Sequence, residues 1–182
     1  MRRVIITYGL ISGAIVSGLM LASMPFWENG VLNFDNGEVV GYTTMVISLS
    51  LVFFGIKSCR DYVYHGSITF WQGFKVGILI TLIASFMYAV TWEICYHTIA
   101  SDFTEKMAQH YVDKARNDGK TEEEVAVVVE QMESMNEWYK NPALRFVITL
   151  TEILPVGIVI TIICALLLRN REVLPVDPNA TG

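Results

Sequence analysis

Four long apolar runs follow one another along the chain, and a densely charged block separates the third from the fourth. The first run, Val4 to Met24, contains no charge and follows Met1-Arg2-Arg3. The second, Val39 to Ile56, is closed at once by Lys57, Arg60 and Asp61. The third opens at Thr69-Phe70-Trp71-Gln72, passes Lys75, and stays uncharged from Val76 to Trp92. The fourth, Phe146 to Leu168, carries a single acid, Glu152, and ends at Arg169 and Arg171. At about 1.5 Å per residue, runs of this length approach the hydrocarbon thickness of a bilayer, about 30 Å. The pattern predicts an all-α fold: a four-helix transmembrane bundle with membrane helices over about 4–24, 39–57, 70–99 and 143–168. All of it forms a single integral-membrane domain, 1–182.

Boundary signals sharpen these helices. Thr69 with Gln72 three residues later has the form of a capping box, so the third helix starts there. Phe70, Trp71 and Phe74 suit an interfacial aromatic belt. Pro25 is expected to end the first helix, with Phe26 and Trp27 at interfacial depth. Pro142, after Asn141, is placed to start the fourth. Gly9, Gly13 and Ser17 recur every four residues, the small-residue stripe that lets helix backbones approach closely. A basic start before an apolar run also describes a signal peptide. Here the run is longer than a usual apolar region and no A-x-A-like site closes it, so a retained membrane helix is expected.

The charged block, about 101–141, reads as an extramembrane helical hairpin between the third and fourth membrane helices. Phe103, Met107, Tyr111 and Lys114 share one helical face, and Asn117-Asp118-Gly119 is a stop and turn. Thr121-Glu122-Glu123-Glu124 is a second capping box, with acids where the helix dipole favours them. Val125, Val128, Val129, Met132 and Tyr139 then recur at helical spacing, so the two apolar faces pack together or against the end of the bundle. The tail, about 172–182, contains Pro175 and Pro178 and reads as disordered.

Composition agrees with the pattern: 53% of residues are hydrophobic and only 17% charged, too apolar for an ordinary soluble domain. A net charge of −5 without any basic stripe argues against nucleic acid as a partner. Arg2, Arg3, Lys57, Arg60, Lys75, Arg169 and Arg171 collect at one end of the bundle. The positive-inside rule then puts the N-terminus and the C-terminus in the cytoplasm. Cys59, Cys95 and Cys164 are scattered, with no CxxC pair, and read as packing residues. Glu93-Ile94-Cys95-Tyr96-His97 lacks the second histidine of a zinc-protease motif, and no nucleophile elbow, P-loop or dinucleotide fingerprint occurs. No metal, cofactor or catalytic residue is expected, and the chain does not read as an enzyme.

The polar residues that remain to be explained are Glu93, His97, Arg145 and Glu152. Ionisable groups within a membrane are costly and each needs a partner or a purpose. Counted inward at helical rise, Glu93 lies about 10 Å and Glu152 about 13 Å from the ends of their helices, a similar depth. One reading makes them a proton or cation site, helped by His97 and by the carbonyl of Thr151 that Pro155 frees. The other pairs Glu93 with Arg145 near the interface and lets Tyr or Thr hydroxyls bind Glu152.

Tyr42, Phe53-Phe54-Gly55-Ile56-Lys57, Arg60-Asp61, Gly66-Ser67-Ile68-Thr69-Phe70 and Gly73-Phe74-Lys75-Val76-Gly77 follow in an order that carries a resemblance. With Thr81 to Ser85, Tyr88, Trp92 and the opening Tyr8 to Gly13, the chain resembles the bacterial membrane-protein family catalogued as domain of unknown function 4199. The resemblance implies a small four-helix protein of the inner membrane whose biochemical role is not established, and it brings no site residues. Two functions stay open. One is a non-enzymatic accessory protein, embedded in the lipid bilayer, that offers the hairpin to a protein partner. The other is a small oligomeric transporter or channel subunit that uses Glu93 and Glu152.

Overall fold

The computed structural model describes residues 1–170 together with Val173 and Leu174. The rest of the tail expected to be disordered, and Arg171, lie outside the described residues. Seven helices follow in order: α1 (Arg2–Glu28), α2 (Gly37–Leu49), α3 (Leu51–Tyr62), α4 (Phe70–Thr98), α5 (Phe103–Asn117), α6 (Glu122–Lys140) and α7 (Pro142–Arg169). No strand occurs among the described residues. Four stretches are long and apolar enough to cross a membrane: α1, α2 with α3, α4, and α7.

The second of these is broken at Ser50 rather than continuous. Here Thr44, Ser48 and Ser50 turn their hydroxyls onto carbonyls of their own helix, back-bonding that loosens and bends a helix. The Ser48 carbonyl is also taken by a donor from another helix, the Ser12 hydroxyl of α1 at 2.5 Å. The first helix departs from expectation too: Pro25 sits inside α1, which continues to Glu28. So close to a helix end, a proline removes one hydrogen bond and leaves the next turn free to form. That turn is closed by the Asn29 amide on the Pro25 carbonyl, and Trp27 anchors it by edge-on contacts with Phe34 and Phe103. The other helix starts follow their signals. Thr69 and Gln72 form a reciprocal capping box, Thr121 and Glu124 form another, and Asn141 caps α7 ahead of Pro142.

Helix α4 is the centre of the bundle, packed against α1, α3 and α7. Its buried residues are mostly small: Gly73, Gly77, Thr81, Ala84, Ser85 and Ala89 among them. The stripe on α1 meets it, and a Cβ built on Gly13 would lie 3.2 Å from the Ala84 backbone. On the other side Gly73 faces Ala165, Gly77 faces Thr161, and Gly157 faces Thr81. The Thr81 and Thr161 hydroxyls share a buried hydrogen bond of 3.3 Å across that seam. Ile5, Val52, Ile56, Val76, Ile80 and Leu168 fill the space beside it. Cys59, Cys95 and Cys164 are all buried and unpaired by disulfides, as packing residues are. The outside of the spans is rich in exposed Ile, Leu, Val and Phe, for which hydrocarbon is the matching solvent.

The seam between α4 and α7 generates the first prediction. A methyl group at position 157 would collide with the Thr81 side chain, whereas one at Gly18 meets nothing within 4 Å. Overpacking of this kind costs about 1–3 kcal/mol. Gly157→Ala should lower the melting temperature of the detergent-solubilised protein, followed by circular dichroism, while Gly18→Ala should leave it unchanged or raise it. An unchanged midpoint for Gly157→Ala would mean the two helices are not in close contact.

Candidate functional site

Glu93 and His97 lie one turn apart near the end of α4, and Arg145 emerges from the first turn of α7. The structure brings these three together. Arg145 is 1% exposed. Its Nε and Nη2 donate to the two oxygens of Glu93 at 2.9 and 2.7 Å, the forked pairing that a planar guanidinium makes with a carboxylate. Its Nη1 donates to the Tyr139 carbonyl in the last turn of α6 at 2.6 Å. The guanidinium carbon sits 4.0 Å from the centre of the Tyr96 ring, within cation–π range. Nη2 also lies 3.1 Å from His97 Nε2. Arginine cannot accept a hydrogen bond, so in this contact Nη2 is the donor. One buried cation thereby ties together α4, α6 and α7.

Glu152 is not a member of this cluster. It makes no hydrogen bond or ion pair with any described residue. The Thr hydroxyls expected to bind it are turned elsewhere: Thr149 bonds the Arg145 carbonyl at 3.0 Å and Thr151 the Ile148 carbonyl at 2.6 Å. Glu152 instead lines a cavity of about 630 Å³ at the Arg145 end of the bundle, between the end of α1, the start of α2, α4 and α5. The four polar residues singled out from the sequence therefore divide into a closed ion-pair cluster and one open carboxylate.

A ring of aromatic side chains closes that end. Phe103 of α5 packs on Trp27, Phe34 and Trp92, so the apolar face of α5 meets the end of the bundle and the 29–36 loop. The loop is pinned by Asp35, which accepts from Lys114 at 2.5 Å. That hydrogen bond holds the Asp35 carboxyl below its ordinary value. Thr104 donates to Asn136 at 2.9 Å and joins α5 to α6. Among the described residues, no three His, Cys, Asp or Glu side chains gather as metal ligands would.

Sequence reasoning gave Arg60 to the general basic bias of one end and missed its role. Arg60 is 1% exposed. Its Nε donates to Asp61 at 2.8 Å, and its two terminal nitrogens donate to the carbonyls of Val173 and Leu174 at 2.8 and 2.6 Å. Lys57 completes the cluster with a 2.6 Å bond to Asp61. The spacing of Lys57 and Asp61, four apart on one helix face, is readable in the sequence. The return of the chain after α7 to Arg60 is not.

Removing one partner of a buried pair strands the other charge and costs on the order of 3–5 kcal/mol, while replacing both with apolar groups costs far less. Glu93→Leu and Arg145→Leu should each lower the unfolding midpoint strongly, and the double variant should recover most of the loss. Strictly additive losses in this double-mutant cycle would show that the two side chains do not depend on each other.

Comparison with known proteins supplies a family and no function. No curated protein and no solved structure matches the chain. A family model described as "Protein of unknown function (DUF4199)" matches residues 7–170, which include the aromatic ring, the cavity at Glu152 and the whole Arg145 cluster. With most of its length inside that match, the chain belongs to the DUF4199 family of proteins of unknown function.

Proposed function

We propose that this protein is a non-enzymatic accessory protein of a bacterial inner membrane, with both termini in the cytoplasm, that offers α5 and α6 to a protein partner. The observation that carries the reading is the anchoring of these two helices. They are fixed to the spans by the Tyr139 carbonyl on Arg145, by Phe103 among Trp27, Phe34 and Trp92, and by Lys114 on Asp35. A firmly held pair of helices loses little freedom on binding and so suits a recognition platform. Its free side carries exposed Glu122, Glu123, Glu130 and Glu133, with Val127 exposed among them. The orientation is supported by Arg2, Arg3, Lys57, Lys75 and Arg169, which all lie at the opposite end. The test is a photo-crosslinking amino acid placed at Val127 in living cells, with the same probe at exposed Val159 of α7 as control. A discrete protein adduct from position 127 and none from 159 is expected. No adduct at 127, or the same adduct at both positions, contradicts the reading.

The second reading, an oligomeric transporter or channel subunit, keeps support from one observation, the open carboxylate of Glu152 in its cavity. Glu93 lends it little, because both of its oxygens are engaged by Arg145. On this reading Glu152→Gln abolishes a cation-dependent flux in proteoliposomes. Absence of flux with the unaltered protein removes it.

A further inference from the structure

The cavity at the Arg145 end has the volume of sites that hold small organic molecules, 300–1,000 Å³ in general and about 630 Å³ here. Its wall combines Trp27, Phe34, Tyr42, Tyr88, Trp92 and Phe103 with the exposed carboxylate of Glu152 on α7. Glu28, Glu38 and Asp102 also line it, against a single base, Lys106. That base is already spent on Asp102, at 2.7 Å. Nothing among the described residues neutralises Glu152, so the cavity is a negatively charged space walled by aromatic faces.

We propose that this cavity binds an organic cation with an apolar body, with Glu152 as its counter-charge and the aromatic rings around it as the surface that receives the body. The chemistry excludes the other occupants in turn. An anion would face several acids and no free base. A bare metal ion demands several oxygen ligands converging on one point, and among the described residues no three His, Cys, Asp or Glu side chains gather to supply them. A lipid tail would leave the carboxylate against hydrocarbon, an arrangement that costs free energy without return. A delocalised or quaternary cation meets every requirement, since aromatic faces attract cations electrostatically and accept apolar groups without desolvation loss. Helix α5 contributes Phe103, Lys106 and Tyr111 to the same wall, so the cavity is roofed by the element that α6 packs against. The inference depends on neither reading above, because binding is measured without a partner and without flux.

The test uses the purified full chain in nanodiscs of zwitterionic lipid, at mildly alkaline pH, with tetraphenylphosphonium as the probe. Equilibrium dialysis reads the stoichiometry, and quenching of tryptophan fluorescence reads occupancy beside Trp27 and Trp92. Saturable one-to-one binding is expected. Loss of the counter-charge in Glu152→Gln should weaken it about tenfold or more, the effect of 1.4 kcal/mol. Neutral triphenylphosphine oxide should bind the unaltered protein more weakly than the cation by a similar factor. Gly41→Leu supplies an independent variant, because Gly41 lines the cavity and a Cβ there meets nothing within 4 Å. It fills the space without straining the helix and should displace the probe even if Glu152→Gln fails to fold. The proposal is overturned if the unaltered protein shows no saturable binding, if Gly41→Leu binds as well as it does, or if the folded Glu152→Gln variant or the neutral analogue shows no loss.

Discussion

A guanidinium removed from water must find acceptors for its N–H groups, and among the described residues two are buried, Arg60 and Arg145, each 1% exposed. Their needs dictate what happens at the two ends of the bundle. At one end Arg145 takes the whole carboxylate of Glu93 and then a backbone carbonyl from the last turn of α6. At the other, Arg60 takes Asp61 and then two backbone carbonyls from the chain beyond α7. In both cases a neighbouring carboxylate balances the charge, and main-chain carbonyls that a passing segment would otherwise leave to solvent complete the set. The arginines thus convert loose connections into fixed ones. The α6–α7 turn and the residues after α7 are held where they are because a cation requires their oxygens.

Between those ends the structure depends on how closely backbones approach. Where both the solvent and the core are hydrocarbon, burying Leu or Ile gains little, and contact between helices comes from close fit and a few hydrogen bonds. Helix α4 meets that condition on two sides at once, against Gly9 and Gly13 of α1 and against Gly157, Thr161 and Ala165 of α7. The Thr81–Thr161 and Ser12–Ser48 hydrogen bonds add direction to contacts that shape alone would leave free to slide. Ser12 has a second effect: by engaging the Ser48 carbonyl it favours the break between α2 and α3.

The spans were legible because length and lack of charge are enough to define them. The starts of α4, α6 and α7 were legible because capping is local: Thr69 with Gln72, Thr121 with Glu124, and Asn141 with Pro142 each act within one turn. Pro25 was misleading because its effect depends on how near the helix end already is, and on Trp27 holding the turn that follows. The break at Ser50 turns on a donor from another helix, which no local pattern reveals. The small-residue seam of α4 and α7 was present in the sequence as Gly73, Gly77, Thr81 and as Gly157, Thr161, Ala165, at the same four-residue spacing as the stripe on α1. It went unread because an all-round apolar helix gives no sign of which face is inside. Of the polar residues, the Glu93–Arg145 pair could be anticipated, because a carboxylate there needs a partner and Arg145 lies near the same interface; the matching depth of Glu93 and Glu152 pointed to the wrong pair. The isolation of Glu152 could not, since it depends on which hydroxyls turn inward.

The separation of Glu93 from Glu152 changes what kind of chemistry the protein can carry. Two carboxylates at one depth suggest a shared proton and a path, and such a site works by keeping both groups weakly held. Here one of them is held as firmly as a carboxylate can be, by two charge-assisted bonds to a buried arginine, and it serves the fold. The other has no partner among the described residues and faces a space large enough for a molecule. A bundle that secures Arg145 so completely could as easily have secured Glu152, with Tyr42 and Tyr88 lining the same cavity. Left without a partner among the described residues, the exposed Glu152 carboxylate faces the aromatic rings of the cavity. That open carboxylate is the feature that a ligand would satisfy.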